Sequence, residues 1–173
     1  MGKLILITGE NNSGKSRYAE QITASCGNHR FYIATMLPAT EENGERIQKH
    51  RKQREGLNFH TLECPCEVGK ASIAENAVVL LEDVSNLLAN VLFGRDGSGD
   101  EVLADIYALQ KRCNTLVAVS IAGLSPEGFD DETADYIRTL NHINRRLADR
   151  ADICITMRNG VPMAEKGDLP DAP

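Results

Sequence analysis

The sequence lacks the features that mark several classes of protein. It contains no tryptophan, and aromatic residues make up only 5% of its 173 residues. It also has no basic excess, because 19 lysines and arginines stand against 25 aspartates and glutamates, which gives a formal net charge of -6. A general nucleic-acid-binding protein normally carries such an excess. We therefore expect no nucleic-acid partner, although a local basic patch is compatible with this balance.

Long apolar runs and a cysteine framework are missing as well. The first apolar run, Leu4 to Ile7, is far shorter than the roughly 20 residues of a membrane-spanning helix, and no signal-peptide cleavage site follows it. The five cysteines are an odd number, and Cys64-Pro65-Cys66 has no second pair with which to complete a four-ligand metal site. We expect reduced thiols, no membrane span and a cytoplasmic location.

The sequence does contain a regular alternation of short apolar runs with helix-length amphipathic segments. The runs predict strands at residues 4–8, 31–34, 59–63, 78–82, 116–121 and 153–157. The amphipathic segments predict helices at residues 15–25, 41–54, 84–93, 101–112 and 131–148. Several strands are apolar throughout, which is typical of a mostly parallel sheet covered by helices on both faces.

The last part of the sequence predicts a closing hairpin. Asn159-Gly160 is a strong type I′ turn signal, so residues 161–164 are expected to form an antiparallel edge strand. We predict one domain at residues 1–165 and a flexible, polar C-terminal tail at residues 166–173. Residues 94–99 are rich in glycine and short polar side chains, and we expect a mobile loop there.

One motif with a defined chemistry lies between the first strand and the first helix. The residues Gly9-Glu10-Asn11-Asn12-Ser13-Gly14-Lys15-Ser16 match the pattern G-x-x-x-x-G-K-[ST] of a phosphate-binding loop. Backbone N–H groups of such a loop surround phosphate oxygens at the start of a helix. Lys15 is expected to reach the β- and γ-phosphates of ATP or GTP, and the Ser16 hydroxyl to bind Mg²⁺. The predicted fold is therefore a P-loop NTPase-like three-layer α/β sandwich.

Two acidic residues follow the apolar run at residues 78–81. A P-loop usually works with an acidic group at the end of a neighbouring strand, which holds the metal ion or its water ligands. Glu82 and Asp83 both lie where the carboxyl edge of the sheet is expected. Asp83 also fits the N-cap of the helix that begins at Val84. We assign Glu82 to the Mg²⁺ site and Asp83 to the cap.

The segment 41–54 has too few apolar residues for an ordinary core helix. Ile47 is its one large apolar side chain, whereas Arg46, His50 and Arg54 recur every four residues and would form one stripe. Neighbouring cations keep His50 neutral, the form in which imidazole is a nucleophile, and they would attract a polyphosphate. The same pattern is typical of a solvated basic helix with an idle histidine. Periodicity leaves both interpretations open.

Taken together, these motifs resemble those of a known family, the bifunctional adenosylcobinamide kinase/adenosylcobinamide-phosphate guanylyltransferases of cobalamin biosynthesis. The similarity runs from residue 4 to about residue 157, with the motifs in the family's order and spacing. The matching blocks are Ile7-Thr8-Gly9, Ser13-Gly14-Lys15-Ser16-Arg17-Tyr18-Ala19-Glu20, Tyr32-Ile33-Ala34-Thr35, Arg46-Ile47-Gln48-Lys49-His50-Arg51, Thr61-Leu62-Glu63-Cys64, Leu80-Leu81-Glu82, Asn90-Val91-Leu92-Phe93 and Asn144-Arg145-Arg146-Leu147-Ala148.

The resemblance implies two reactions with GTP or ATP as co-substrates and Mg²⁺ as cofactor. In one, a nucleoside triphosphate phosphorylates a hydroxyl of adenosylcobinamide. In the other, a histidine attacks the α-phosphate of GTP, releases pyrophosphate and carries GMP to adenosylcobinamide phosphate. His50 matches that histidine, with Lys15 and Glu82 as the other catalytic residues. The resemblance implies that four residues outside the phosphate-binding loop also bind the nucleotide: Thr35, Arg46, Arg51 and Glu63. It also implies a homotrimer with nucleotide sites near subunit contacts.

One segment departs from the family pattern. Family members commonly carry Asn-Glu-x-Gly after the fifth strand, whereas this chain has Ser120-Ile121-Ala122-Gly123. Isoleucine can neither bind a metal nor accept a proton, so the departure bears on whether both half-reactions take place. Glu127, Asp130 or Asp131 are the acidic residues that could substitute.

Two alternatives follow from the same residues. The chain could be a P-loop kinase of another small alcohol in which His50 is idle. It could also be a diverged GTP-binding protein that no longer turns the nucleotide over, and the missing carboxylate after the fifth strand is the only support for this alternative.

Overall fold

A single seven-stranded sheet forms the centre of the molecule. The structure, a computed structural model, describes residues 2–171. The strands are β1 (Lys3–Gly9), β2 (Arg30–Ala34), β3 (Phe59–Glu63), β4 (Val78–Glu82), β5 (Thr115–Ile121), β6 (Ile153–Arg158) and β7 (Val161–Lys166). Their order in the sheet is β3-β2-β4-β5-β1-β6-β7. Neighbouring strands are parallel except β7, which pairs antiparallel with β6 as the Asn159-Gly160 turn predicted.

Five helices connect the strands, and most begin at a capping side chain. They are α1 (Lys15–Cys26), α2 (Glu41–Gln53), α3 (Val84–Gly94), α4 (Gly99–Arg112) and α5 (Asp131–Arg150). Thr40, Asp83, Ser98 and Asp130 each accept a hydrogen bond from the backbone N–H three residues later. These caps satisfy helix N–H groups that have no partner inside the helix, which explains why the helices start where they do.

The helices form two layers on the sheet. Side chains of α3, α4 and α5 pack in one apolar cluster with alternate residues of the central strands, including Leu4, Leu6, Leu116 and Ala118. Ala19 and Ile22 of α1 pack on the opposite face with the other set of strand residues. The predicted three-layer α/β architecture is therefore confirmed.

Helix α2 differs from the other helices because none of its residues is buried. This agrees with the narrow apolar face read from the sequence. Polar contacts hold the helix against the rest of the molecule, chiefly between Gln53 and Glu20 of α1 and between His50 and Ser16 of α1. The helix thus lies beside the start of α1 without joining the hydrophobic core.

Parallel strand pairing brings the candidate site residues to one edge of the sheet. Ala34 of β2 pairs with Glu82 of β4, and Gly9 of β1 pairs with Ile121 of β5. All four residues end their strands. The phosphate-binding loop and the acidic residues after β4 therefore share the carboxyl edge of the sheet, where ligands of open α/β sheets bind.

Two segments differ from their sequence-based expectations. The predicted loop 94–99 is shorter than expected, because α3 extends to Gly94, α4 begins at Gly99, and Ser98 and Glu101 form a capping box between them. Lys166, the first residue of the predicted tail, belongs to β7, and its Nζ donates to the carbonyl oxygens of Ala148 and Asp149. Residues 172 and 173 of that tail lie outside the described residues.

No helix among residues 2–171 is long and apolar enough to cross a membrane.

The hydrogen bonds of Asp105 predict that its side chain stabilises the fold. This half-buried carboxylate on α4 accepts hydrogen bonds from the backbone N–H groups of Val68 at 2.8 Å and Gly69 at 2.6 Å, which fixes the short helical turn Val68–Lys70. Hydrogen bonds to charged groups contribute about 1.5–3 kcal/mol. We expect Asp105→Ala to lower the free energy of unfolding by that amount, measured by urea denaturation.

The matched control is Asp135→Ala, which removes an exposed carboxylate paired with Arg138 on the surface of α5. Exposed ion pairs contribute little, so this variant is expected to change the free energy of unfolding by less than about 0.5 kcal/mol. Equal effects of the two substitutions would contradict the role of Asp105.

Candidate active site

The shape of the phosphate-binding loop requires a glycine near each of its ends. A Cβ atom on Gly9 would lie 2.5 Å from Ser13 Oγ and 2.9 Å from the carbonyl oxygen of Met157, so only glycine fits there. Gly14 has a φ of 89°, a left-handed conformation that favours glycine, and it directly precedes α1. Lys15 Nζ donates to the backbone carbonyl of Glu10 at 3.1 Å. The loop thus joins the end of β1 to the start of α1, as the motif requires.

His50 lies against this loop. Its Nδ1 is 3.0 Å from Ser16 Oγ, within hydrogen-bonding distance, although the two residues are 34 positions apart. Burial lowers the pKa of His50 below its ordinary value of 6.5, the cations Arg46, Arg54 and Lys49 lower it further, and Asp83 opposes them. The sequence predicted the effect of the cations, but burial is the larger cause. The side chain is therefore held in its neutral form at neutral pH.

Glu82 ends β4 on the other side of Ser16. Its Oε2 accepts a hydrogen bond from the Tyr32 hydroxyl at 3.0 Å. Desolvation raises the pKa of Glu82 above its usual range, while hydrogen bonds from the hydroxyl groups of Ser16 and Tyr32 and the charge of Lys15 oppose the rise. A carboxylate that is partly desolvated beside a serine hydroxyl and a lysine is well suited to a cation bound to phosphate.

Asp83 caps α3, in agreement with the sequence-based assignment. Its Oδ1 accepts from the backbone N–H of Asn86 at 2.7 Å. Burial raises the pKa of Asp83 to about 6. Thr35, which the resemblance implied as a nucleotide-binding residue, has a fully buried side chain whose hydroxyl donates to the carbonyl of Asp83 and accepts from its N–H. Thr35 thus fixes the backbone after β4.

These elements surround a cleft of about 1120 Å³. Its volume exceeds the 300–1,000 Å³ of typical small-molecule pockets. The predicted residues that line it are Asn11, Asn12, Ser13, Gly14, Lys15, Ser16, Arg46, His50, Arg51, Glu63 and Glu82. Three other predicted residues, Gly9, Glu10 and Thr35, do not line it. The structure therefore brings together most of the residues that the motifs pointed to.

Two of the predicted residues pair with each other at the rim. Arg51 Nη2 lies 2.5 Å from Glu63 Oε1, and the side chains remain 46% and 70% exposed. Arg46 is also exposed. Arg46 and Arg51 both line the cleft, where their positive charges can attract an anionic ligand.

Two polar residues were not predicted as site residues: Arg54, which lines the cleft, and Glu20, which contacts the cleft-lining residue Gln53. Arg54 was predicted only as part of a stripe, yet it is 7% exposed, and its guanidinium lies 3.7 Å from the centre of the Tyr32 ring. Glu20 is 1% exposed and accepts a hydrogen bond from Gln53. The available signal for Glu20 was its spacing, because it shares a helical face with the buried residues Ala19 and Thr23.

The departure from the family pattern after β5 lies beside the phosphate-binding loop. A Cβ atom on Gly123 would be 3.4 Å from Oε1 of Glu10, so the loop supplies a carboxylate next to that segment. Of the acidic residues named as substitutes, Asp130 caps α5 by accepting from the N–H of Thr133. The segment that follows Ile121 thus has a carboxylate of the phosphate-binding loop beside Gly123.

The sheet order and the loop define the class of fold, a P-loop nucleotide-binding fold. Among solved structures, the chain is similar to one described as an ATPase domain, with a TM-score of 0.52 over 99% of this chain and 78% of the other. Their sequences are only 10% identical, so this similarity shows the fold alone.

A family model described as cobinamide kinase / cobinamide phosphate guanyltransferase matches residues 5–164. The chain therefore belongs to that family, as the sequence motifs predicted.

Individual relatives agree with this assignment. The chain is 31% identical over 171 residues to the bifunctional adenosylcobalamin biosynthesis protein CobP of Pseudomonas aeruginosa, a similarity that covers 94% of this chain and 97% of the relative. It is 29% identical to the corresponding protein CobU of Salmonella typhimurium, covering 86% of this chain and 92% of the relative. The Escherichia coli protein of that name is 35% identical over 69% of this chain and 66% of its own length.

The close packing around Gly9 predicts that a larger residue there weakens nucleotide binding. In Gly9→Ala the new methyl group would collide with Ser13 Oγ and the Met157 carbonyl, so the loop must shift away from its phosphate-binding shape. We expect at least tenfold weaker binding of GTP, measured by isothermal titration calorimetry. Gly94→Ala is the control, since a Cβ atom there meets nothing within 4 Å. Unchanged affinity in Gly9→Ala would contradict the packing argument.

Proposed function

We propose that the chain is a cytoplasmic transferase with two linked activities. It phosphorylates adenosylcobinamide with ATP or GTP, and it transfers GMP from GTP to adenosylcobinamide phosphate through a guanylyl-histidine intermediate. Family membership supports the substrate class. One observation carries the assignment of the nucleophile: Nδ1 of His50 lies 3.0 Å from Oγ of Ser16, so the histidine adjoins the phosphate-binding loop.

The hydrogen bonds around Ser16 select the reactive nitrogen of His50. We assign the one proton of the Ser16 hydroxyl to the Glu82 carboxylate, because Ser16 lowers the pKa of Glu82 by hydrogen bonding. Its oxygen is then the acceptor for an N–H at Nδ1 of His50. This leaves a lone pair at Nε2, and the lowered pKa of His50 keeps that lone pair free of a proton.

In the guanylyl step, Nε2 of His50 attacks the α-phosphorus of GTP. A nitrogen–phosphorus bond forms, the bridging bond from the α-phosphorus to oxygen breaks, and its electron pair leaves with pyrophosphate. The ring becomes positively charged while Ser16 still accepts from Nδ1. A phosphate oxygen of the acceptor then attacks the same phosphorus, the nitrogen–phosphorus bond breaks, and its electron pair returns to Nε2, which restores the neutral form of His50.

The phosphate-binding loop serves both activities. Its backbone N–H groups and Lys15 would hold the β- and γ-phosphates, which are the leaving group in one reaction and the donor group in the other. We assign Arg46, Arg51 and the loop residues lining the cleft to nucleotide binding. Glu63 orients Arg51 through their ion pair, and Thr35 supports the backbone after β4.

The residues around Ser16 fit a magnesium ion. A serine hydroxyl and the Glu82 carboxylate are oxygen ligands of the kind that Mg²⁺ prefers, and water can complete its coordination. When bound, the ion would neutralise charge on the phosphates. We also propose a homotrimer, supported by family membership and by α2, whose residues are all at least partly exposed in the single chain.

Labelling with GTP tests the proposed nucleophile. The full chain is incubated with Mg²⁺ and GTP radiolabelled at the α-phosphate, then denatured and analysed for protein-bound label. We expect acid-labile label on the unmodified protein and none on His50→Ala, because the imidazole that forms the bond is gone. His142→Ala, which removes an exposed histidine of α5, is expected to label normally.

Absence of label on the unmodified protein, with GTP binding intact, would overturn the guanylyltransferase proposal. Transfer of the γ-phosphate to a small alcohol would then favour the kinase alternative. Binding without any product would favour a non-catalytic GTP-binding protein.

A pair of isosteric substitutions tests the separate roles of Glu82 and Asp83. Glu82→Gln removes the proposed Mg²⁺ ligand, and we expect the Mg²⁺ concentration for half-maximal labelling to rise at least tenfold. Asp83→Asn keeps an N-cap residue of equal quality, so the Mg²⁺ dependence is expected to change less than threefold. A larger effect at Asp83 than at Glu82 would reverse the assignment.

A further inference from the structure

Three potential metal ligands converge beside the phosphate-binding loop. Glu20 of α1, His50 of α2 and Glu82 of β4 each direct one ligand atom to a common point, and these atoms all lie within 4.8 Å of one another. The three residues come from three different elements, so the cluster depends on how α2 packs on α1. Neither the loop motif nor the guanylyl step described above uses Glu20.

The buried carboxylate of Glu20 is only partly hydrogen-bonded. The side chain is 1% exposed, and its Oε2 accepts from Gln53 Nε2 at 2.7 Å. Its Oε1 is buried and has no hydrogen-bond partner among residues 2–171. A buried carboxylate oxygen without a partner is costly, and such oxygens are usually paired with a donor or a cation.

The neighbouring Glu82 makes the charged form of Glu20 still less favourable. Burial raises the pKa of Glu20 to about 7, the Gln53 hydrogen bond opposes the rise, and the charge of Glu82 adds to it. Arg54 and Arg17 are the nearest cations that counteract it. Two carboxylates in one partly desolvated place repel each other, and either a proton on one of them or a cation between them relieves the repulsion.

The types of the three ligands indicate the class of cation. One imidazole nitrogen with two carboxylate oxygens is a ligand set suited to Zn²⁺ and similar ions, whereas Mg²⁺ prefers oxygen ligands alone. In a tetrahedral site, zinc–ligand distances of about 2.0–2.2 Å place the ligand atoms about 3.4 Å from one another, so atoms that now lie within 4.8 Å must approach by up to about 1.5 Å.

We propose that Glu20, His50 and Glu82 bind a divalent cation of the zinc class when no nucleotide is present, with water in the fourth position. Binding uses a ring nitrogen of His50 and the carboxylate of Glu82. The consequence for activity rests on the proposed function: a histidine bound to the cation cannot attack GTP, and Glu82 cannot serve Mg²⁺. The zinc-class cation and the magnesium complex of GTP therefore exclude each other.

Calorimetric titration of the nucleotide-free full chain with Zn²⁺ tests the site directly. Loss of a mere outer-shell partner of a metal ligand typically costs 10- to 100-fold in affinity, so Glu20→Gln is expected to weaken the tightest Zn²⁺ site at least tenfold. His50→Ala is expected to do the same. Glu42→Gln removes an exposed carboxylate lining the same cleft and should leave the affinity unchanged.

Two further variants and measurements make the result unambiguous. The amide oxygen introduced by Glu20→Gln can still accept from Gln53, and a thermal unfolding curve checks that the variant is folded. Cys64→Ser tests the thiols, because Cys64 adjoins the cleft-lining residue Pro65. Binding that survives Glu20→Gln and His50→Ala, or that is lost only in Cys64→Ser, would overturn the proposal.

Inhibition of the labelling reaction tests the consequence for activity. We expect Zn²⁺ to suppress self-labelling by GTP. For each protein, the inhibiting Zn²⁺ concentration is the one that halves its labelling without zinc. We expect this concentration to be at least tenfold higher in Glu20→Gln. Excess Mg²⁺ and GTP should raise the inhibiting Zn²⁺ concentration in the unmodified protein. Labelling that is insensitive to Zn²⁺ at concentrations that fill the site would refute the exclusion. If the unmodified protein is never labelled, the proposed function fails, and calorimetry still decides on the cation site.

Discussion

The pairing of β1 with both of its neighbours is the constraint on which the site depends. This strand pairs along its whole length with β5 and along its carboxyl half with β6, all in parallel. Its side chains from Leu4 to Ile7 are almost fully buried, so the register is determined by burial on both faces. Since every strand of the parallel part ends on the same edge, one register places the phosphate-binding loop, Glu82 and Ile121 together.

A second kind of interaction builds the rest of the cleft. Helix α2 carries His50 but has no buried residue, and therefore its position does not come from the hydrophobic effect. It is held by hydrogen bonds to α1 and by Arg54, which stacks on Tyr32 and donates to Thr61. Such contacts are individually modest and depend on protonation. His50, the proposed nucleophile, thus lies on an element less firmly attached than the loop it faces.

The sequence predicted most of the architecture because its signals are local. Apolar runs marked the six parallel strands, Asp83 marked the start of α3 as its capping residue, and Asn159-Gly160 marked the hairpin. The loop 94–99 was predicted too long because glycines at helix ends resemble a flexible segment. Local patterns sufficed where each element is determined by its own residues.

The contacts inside the cleft were less predictable. The hydrogen bond between Ser16 and His50 joins residues 34 positions apart, and nothing in the periodicity of either helix specifies it. Only the resemblance to the family singled out His50 as the nucleophile. Glu20 was missed, although a carboxylate on the buried face of α1 is itself a signal. The pKa of His50 was predicted in the right direction, but burial, its main cause, requires the packed structure.

The turn between β6 and β7 has a consequence for how the molecule acquires its site. The N–H of Gly160 donates to the carbonyl of Ser13, and a Cβ atom on Gly14 would lie 3.2 Å from the Cα of Gly160. A loop made early in synthesis is therefore braced by a turn made about 150 residues later. A chain still emerging from the ribosome already carries the loop sequence, but the loop reaches its nucleotide-ready shape only after β5 and β6 have paired with β1 and this late hairpin docks. Nucleotide affinity would thus report the completion of folding.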